Sequence, residues 1–178
     1  MSNIVAIIGR PNVGKSTLFN RLCESRKAIV DDFSGVTRDR HYETAEWIGK
    51  KFTIIDTGGY VAHSEDLFEA AIREQVIIAI EEATVLVFMV DVTTGVTDLD
   101  DEIANILRRS KKPVIVVLNN GSALNVTPFI GQCNALVEAW LLGGANSKAL
   151  VDVLTGVVNP SGRLAETFPL KIEHTPQY

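Results

Sequence analysis

The residues with the clearest chemical potential form a loop near the amino terminus, residues 9–16. Their sequence, Gly-Arg-Pro-Asn-Val-Gly-Lys-Ser, fits the pattern GxxxxGK[ST], in which a tight turn points successive backbone N–H groups at phosphate oxygens. Lys15 would supply a positive charge for the β- and γ-phosphates, and Ser16 a hydroxyl for Mg²⁺. The alternative is a glycine-rich turn that happens to contain lysine and serine. The predicted phosphate contacts are Gly9, Arg10, Pro11, Asn12, Val13, Gly14, Lys15, Ser16 and Thr17.

Two further segments carry oxygen ligands suited to magnesium. Asp56-Thr57-Gly58-Gly59 follows an apolar run, and an Asp at a strand end can hold Mg²⁺ through water while Gly N–H groups face a γ-phosphate. Alone it could be an ordinary turn, but after a phosphate loop at this distance the magnesium role is favoured. Thr37, within residues 35–39, could complete the coordination of the ion. The alternative for that segment, favoured if it stood alone, is a flexible polar loop.

The elements that must position these residues alternate between short apolar runs and helix-like segments. This alternation predicts an α/β fold: a doubly wound, mostly parallel sheet of about six strands with helices on both faces. A hairpin turning at Gly49-Lys50 adds one antiparallel strand. Ligands of such sheets gather at the C-terminal ends of the strands. The predicted strands are residues 4–8, 42–48, 51–56, 85–90, 113–118 and 136–141. Two helices are predicted at residues 15–24 and 98–109. Three more are predicted: one capped by Ser64, a short one that begins at Thr127-Pro128, and one from Asn146 or Ser147 to near Gly156.

Composition limits the class of protein. The 178 residues carry 17 Lys and Arg against 22 Asp and Glu, a net charge of −5, which argues against a broad nucleic-acid surface. Cys23 and Cys133 lie far apart, so we expect both to be reduced. The apolar run at residues 4–8 is too short for a signal peptide, and residues 85–90 are too short to span a membrane. A cytoplasmic protein with no membrane partner is predicted.

Several segments occur in an order typical of one family. On these segments, residues 1–118 resemble the first GTPase domain of the bacterial Der (EngA) family. The resemblance implies GTP or GDP as ligand, with Mg²⁺ held by Ser16 and Thr37 and with Asp56 reaching the ion through water. The matching segments are residues 9–21, 27–32 (Lys-Ala-Ile-Val-Asp-Asp), 35–39 (Gly-Val-Thr-Arg-Asp), 46–47 (Glu-Trp), 56–59 and 64–68 (Ser-Glu-Asp-Leu-Phe).

The same resemblance implies how hydrolysis would be assisted. It places a K⁺ ion beside Asn12, next to the phosphates, and makes Lys15, Thr37 and Asn12 the candidate catalytic residues. Tyr60 stands where many GTPases carry a water-orienting Gln, and Der-like proteins usually lack that Gln too. We therefore expect the intrinsic chemical step to be slow.

The chain departs from the Der pattern after residue 118. A Der-like domain should read Asn-Lys-x-Asp, whose Asp selects guanine, whereas this chain reads Asn119-Asn120-Gly121-Ser122. Asn119 remains a predicted nucleotide contact. Ser122 cannot make the bidentate, charge-assisted contact of an Asp, so guanine selectivity is expected to be weakened.

Residues 113–178 instead resemble the end of the αβ sandwich domain of glycoside hydrolase family 3. No counterpart of that family's nucleophilic Asp is present, and Glu138, Asp152 and Glu166 are interpreted as ordinary solvated carboxylates rather than a catalytic pair. We infer an engineered chimera: one domain over residues 1–158, Der-like to 118 and sandwich-like over 113–158, then an irregular tail, 159–178. The resembling segments are residues 116–126, 138–140, 152–156, 159–164 and 167–169.

Two hypotheses follow for function. The first is a nucleotide phosphate and Mg²⁺ site with weak or absent GTP hydrolysis. The alternative is a structural recombination chimera with no selected function and no nucleotide bound. Glycosidase activity is not expected. The Der family acts in ribosome assembly, but ribosome interaction is not expected for this fragment, which carries one such domain.

Overall fold

A computed structural model of the chain describes residues 3–23, 41–57, 65–91, 96–141 and 146–174. Strands and helices alternate through most of it, as the apolar runs predict. The elements are β1 Ile4–Ile8, α1 Lys15–Cys23, β2 His41–Trp47, β3 Lys50–Asp56, α2 Glu65–Glu82, β4 Val85–Asp91, α3 Asp98–Ser110, β5 Val114–Asn119, α4 Thr127–Ile130, β6 Ala135–Glu138, α5 Asn146–Leu154 and a short 3₁₀ helix, Ile172–His174.

The six strands form one sheet in the order β2-β3-β1-β4-β5-β6. β1 lies between β3 and β4 and is parallel to both, with Ile7 opposite Asp56 on one side and Val87 on the other. Only the β2–β3 pair is antiparallel; β4, β5 and β6 continue in parallel. The predicted fold class is therefore confirmed, and the C-terminal ends of β1, β3, β4, β5 and β6 lie at one edge of the sheet.

Each face of the sheet has its own apolar core because successive strand residues point in opposite directions. Ala6 and Ile8 pack on one face with residues of α2 and α3, such as Val76 and Ile103. Ile7 packs on the other face with residues of α1 and α5. Strands buried on both faces need continuous apolar sequence, which explains the unbroken β-branched and aliphatic runs.

The hairpin turns one residue earlier than predicted. Ile48 and Gly49 both have positive φ, 50° and 70°, so they form the two-residue type of turn whose twist matches the flanking strands. Consequently β2 ends at Trp47 and β3 begins at Lys50, each one residue earlier than predicted. A β-branched residue at positive φ is uncommon, which is why the sequence did not point to Ile48.

The connection from β5 to β6 contains one short helix and otherwise no regular secondary structure. α4 is a single turn with Pro128 at its start, as predicted, and β6 ends at Glu138 instead of residue 141. Trp140 has a φ of 50°, which is incompatible with continuing the strand.

Within the described residues after α5, only the short 3₁₀ helix is regular. Phe168 nonetheless packs edge-on against Trp140, with ring centroids 6.1 Å apart, and Glu166 Oε1 accepts the N–H of Ala123 at 2.9 Å. These residues therefore lie over the C-terminal ends of β5 and β6. The division into residues 1–158 and a tail stays a prediction.

Candidate functional site

The loop between β1 and α1 contains backbone conformations that few residues other than glycine can adopt. Gly9 has a φ of 155°, and a Cβ there would lie 2.4 Å from the carbonyl oxygen of Met89 on β4. Gly14 has a φ of 96°, and Asn12, a residue type that tolerates the left-handed region, has a φ of 66°. The loop thus sits directly against the sheet and closes at the start of α1, as the glycine spacing predicts.

Lys15 is buried inside this loop. Only 5% of it is exposed, and its Nζ donates a hydrogen bond to the carbonyl oxygen of Arg10 at 2.7 Å. Burial lowers the pKa of Lys15 to about 8, although the nearby carboxylate of Asp56 raises it in part. A buried ammonium ion needs a negative partner, and a phosphate group beside it would supply one. An open cavity of about 300 Å³ adjoins it, lined by Pro11, Asn12, Gly14, Lys15, Ser16 and Thr17.

The sheet brings Ser16 and Asp56 together. The Ser16 hydroxyl donates to Asp56 Oδ2 at 2.8 Å, and Asp56, the last residue of β3, is 3% exposed. Thr57 Oγ1 donates to the carbonyl oxygen of Ile7 at 3.0 Å, which holds the start of the Asp-Thr-Gly-Gly segment against β1. A hydroxyl and a carboxylate side by side at the phosphate loop form an oxygen donor set that suits Mg²⁺.

This donor set is small. The described part of the chain contains no cluster of three or more His, Cys, Asp or Glu side chains placed to hold a metal ion. Mg²⁺ binds nucleotide sites through one or two protein oxygens together with waters and phosphate oxygens. Ser16 and Asp56 therefore fit an ion that arrives with a phosphorylated ligand.

The side chain of Arg10 turns away from the predicted phosphate position. Its Nη2 donates to the carbonyl oxygen of Asp91 at 2.6 Å, and its Nε lies 3.2 Å from Asp100 Oδ2. Asp100 also completes the capping box of α3 with Thr97, whose N–H and hydroxyl both donate to Oδ2. Arg10 thus ties the phosphate loop to β4 and α3. Sequence reasoning missed Asp91 and Asp100, although the capping box at residues 97–100 was a local signal for the latter.

Asn119 joins the same site from the end of β5. Its Nδ2 donates to the carbonyl oxygen of Val13 at 3.3 Å, which links the fifth strand to the phosphate loop. Its Oδ1 is buried and has no hydrogen-bond partner among the described residues.

The residues after Asn119 are held in place by hydrogen bonds within the chain. Asn120, 1% exposed, donates from Nδ2 to the carbonyl oxygen of Ser122 at 2.8 Å and to Glu138 Oε2 at 3.3 Å. Glu138 Oε1 accepts the N–H of Trp140, and burial raises the pKa of the Glu138 carboxyl. Ser122 is exposed and has only a neutral hydroxyl in place of the expected carboxylate.

The structure brings the predicted residues Asn12, Lys15, Ser16, Asp56 and Asn119 together around one loop. Thr37, Gly58 and Gly59, like Tyr60, lie outside the described residues, so their predicted roles stay predictions. No helix within the described ranges is long and apolar enough to cross a membrane.

A mostly parallel sheet with a glycine-bounded phosphate loop between its first strand and first helix defines a P-loop nucleotide-binding domain. The family model described as "50S ribosome-binding GTPase" matches residues 4–120. The chain therefore belongs to that family of P-loop GTPases.

The individual proteins to which the chain is similar include GTPases of the Der type. The chain is 55% identical over 162 residues to the GTPase Der of Cytophaga hutchinsonii, covering 89% of this chain and 37% of that protein. It is 61% identical over 119 residues to the GTPase Der of Bacteroides fragilis, covering 67% of this chain and 27% of that protein. The Der-like character of the amino-terminal part is thus confirmed. The chain spans only about a third of the length of these relatives.

One solved structure shares both fold and appreciable sequence. Era from Aquifex aeolicus, with a tyrosine-to-alanine substitution and bound to GDP and AlF₄⁻, superposes with a TM-score of 0.60 at 33% identity. The superposition covers 96% of this chain and 60% of that one. It agrees with a P-loop GTPase fold for the described elements. The prediction that ribosome interaction is not expected for this fragment stays a prediction.

Proposed function

We propose that the chain binds GTP and GDP through their phosphates together with Mg²⁺, discriminates weakly between guanine and adenine, and hydrolyses GTP slowly. The observation that carries this proposal is the convergence of Lys15, Ser16 and Asp56 at the N-terminus of α1. Here a buried cation, a hydroxyl and a carboxylate meet the backbone N–H groups of the loop. The helix dipole adds a favourable field for an anion at the same point.

Binding would proceed by exchange of internal contacts for ligand contacts. The Lys15 ammonium, now bonded to the Arg10 carbonyl oxygen, would donate to the phosphates, and the Ser16 hydroxyl, now bonded to Asp56, would be available as a ligand of Mg²⁺. Asp56 would hold the ion through water. When bound, Mg²⁺ neutralises phosphate charge and orients the phosphate oxygens.

Slow hydrolysis is proposed from the residues that the Der resemblance assigns. By that resemblance, Lys15 would stabilise charge on the transferred group, Thr37 would be a ligand of Mg²⁺, and Asn12 would help to hold a K⁺ ion beside the phosphates. Tyr60 cannot orient a water molecule as a Gln side chain does. A higher rate of phosphate release in potassium chloride than in sodium chloride at equal ionic strength supports the K⁺ role. Equal rates contradict it.

Weak base selectivity follows from the loop after β5. Asn119 remains close to the phosphate loop through Val13, but Ser122 lacks a carboxylate. GDP and ADP are therefore expected to bind with similar affinity, most of which comes from the phosphates.

We also infer that the chain is a chimera whose residues 113–158 complete the sheet in a Der-like domain. The family match ends at residue 120, and the match to the B. fragilis protein spans 119 residues. The match to the C. hutchinsonii protein extends further, over 162 residues. Cutting the chain after residue 158 should leave a cooperatively folding domain that still binds phosphate. Loss of cooperative unfolding in that fragment would contradict the domain division.

The alternative function is a structural chimera that binds no nucleotide, which the missing guanine-selecting Asp favours. Calorimetric titration of the full chain with GDP, ADP and pyrophosphate in Mg²⁺ separates the two. Saturable heat with all three ligands supports the phosphate site. Absence of binding by all three would leave only the structural alternative.

A further inference from the structure

After α5 the chain returns to the C-terminal edge of the sheet in residues 164–170, here called the covering segment. Glu166 Oε1 in this segment accepts the N–H of Ala123, which follows β5, at 2.9 Å. The ring of Phe168 lies edge-on to that of Trp140, which follows β6, with centroids 6.1 Å apart and an interplanar angle of 85°. The covering segment thus contacts the chain where it leaves two neighbouring strands.

The end of β5 is also next to the phosphate site. Asn119, its last residue, donates from Nδ2 to the carbonyl oxygen of Val13 at 3.3 Å. Within the described part of the chain, the phosphate cavity is lined by residues between Pro11 and Thr17 and by none of the covering segment. A phosphate group can therefore enter without contacting that segment. A base that reaches the loop after β5, at the edge where ligands of parallel sheets bind, meets the place that the segment already contacts.

The loop after β5 is held on its other side by β6 and the residues that follow it. Asn120 is 1% exposed and donates to Glu138 Oε2. The side chain of Leu141 lies against Gly121, where an added Cβ would be 3.2 Å from Leu141 Cδ1. These contacts fix the loop, so the covering segment is the easier of the two to displace.

The covering segment itself is lightly attached. Leu164 and Leu170, at its two ends, are 53% and 66% exposed, so neither leucine anchors it in a core. The bond from Ala123 to Glu166 is exposed to solvent, where a hydrogen bond adds little net stability, and an aromatic pair adds a similarly small amount. A ligand can therefore displace the segment at a modest cost in affinity.

We propose that Glu166 and Phe168 are positioning residues that hold the covering segment across the approach of a nucleoside to the loop after β5. Inorganic pyrophosphate binds without displacing the segment, whereas GDP and ADP must displace it. The apparent affinity for a nucleotide is then reduced by the fraction of molecules in which the segment is closed. This inference rests on the proposed phosphate site, and it makes the chain favour inorganic phosphates over nucleotides of either base.

The test is calorimetric titration of the full chain with GDP, ADP and pyrophosphate in Mg²⁺. Glu166→Ala removes the acceptor of the Ala123 N–H, so the affinities for GDP and ADP should each rise about fivefold while that for pyrophosphate stays the same. Phe168→Ala should act in the same direction by removing the ring contact. Glu173→Ala removes an exposed carboxylate from the 3₁₀ helix and should match the wild type with all three ligands.

Glu166→Gln separates attachment of the segment from electrostatic repulsion of the ligand. Its side chain loses the negative charge but keeps an oxygen that can accept the Ala123 N–H, so its three affinities should equal those of the wild type. Equal gains in Glu166→Gln and Glu166→Ala, a gain for pyrophosphate, or unchanged nucleotide affinities would each overturn the inference. Pyrophosphate binding by the wild type reports on the phosphate site alone, and its absence would overturn the proposed function and this inference with it.

Discussion

The hydroxyl of Ser16 donates a hydrogen bond to Oδ2 of Asp56 at 2.8 Å, across forty residues of sequence. Ser16 lies in the first turn of α1 and Asp56 ends β3, so the contact depends on β1 and β3 lying side by side in the sheet. Two candidate magnesium ligands are therefore held together before any ion arrives. The parallel sheet thus pre-organises the proposed metal site.

The first prediction concerns the magnesium dependence of binding. Ser16→Ala removes one proposed ligand of Mg²⁺ but leaves Lys15 and the loop backbone in place. GDP affinity in Mg²⁺ should fall by about tenfold, to a value close to that measured in EDTA. Isothermal calorimetry with and without Mg²⁺ measures both values. Ser110→Ala, at the far end of α3, is the matched control, and a Mg²⁺ effect of wild-type size in Ser16→Ala would refute the assignment.

The second prediction concerns proton uptake by Lys15. Its pKa is lowered to about 8 in the free protein, so part of the population is uncharged at about pH 8.5. Phosphate favours the charged form and raises this pKa, so GDP binding should take up protons and GDP affinity should fall as pH rises above about 8. Calorimetry in two buffers with different ionisation enthalpies measures the uptake. Lys15→Arg, which stays charged, should show none from this site. No uptake in the wild type would contradict the assigned role.

The third prediction concerns the close approach of the loop to β4. Gly9→Ala would place a methyl group 2.4 Å from the Met89 carbonyl oxygen, so the backbone must shift. The free energy of unfolding should fall by about 1–3 kcal/mol, and phosphate affinity should fall with it. Gly131→Ala, with no atom within 4 Å and a φ of −77°, should change stability by less than about 1 kcal/mol. Urea denaturation measures both, and equal stability of the two variants would contradict the packing.

The fourth prediction concerns base selectivity. Ser122→Asp restores a carboxylate at an exposed position near Asn119. The ratio of GDP to ADP affinity, close to one in the wild type, should rise about tenfold, because guanine presents two N–H donors to a carboxylate. Ser161→Asp adds the same charge in the exposed segment after α5 and should leave the ratio unchanged. An unaltered ratio in Ser122→Asp would mean that the bonds of Asn120 to Ser122 and Glu138 hold this loop away from the base.

Much of the fold could be predicted because its signals are local. The β-branched run at β5 and the glycine spacing of the phosphate loop each specify backbone within a few residues. Lys15, Ser16 and Asp56 lie close together because parallel strands end at the same edge of the sheet.

The remaining features depend on partners far along the chain. The side chain of Arg10 is directed by Asp100, ninety positions away, and no local pattern specifies that pairing. The turn at Ile48 and the early end of β6 before Trp140 both use positive φ at bulky residues, which local backbone preference disfavours. Asn120 stands where a Der-like domain carries Lys, and the structure buries it among hydrogen bonds to Ser122 and Glu138 that the sequence did not indicate.

The most direct test of the central claim is the affinity of Lys15→Ala for pyrophosphate in Mg²⁺, measured by calorimetry beside the wild type. Lys50→Ala is the control, because Lys50 is exposed at the start of β3, the strand end opposite Asp56. The wild type and Lys50→Ala should bind equally, and Lys15→Ala should lose about 1.5–3 kcal/mol of binding free energy, the value of a hydrogen bond to a charged group. Equal binding by all three proteins would contradict a phosphate site built around Lys15.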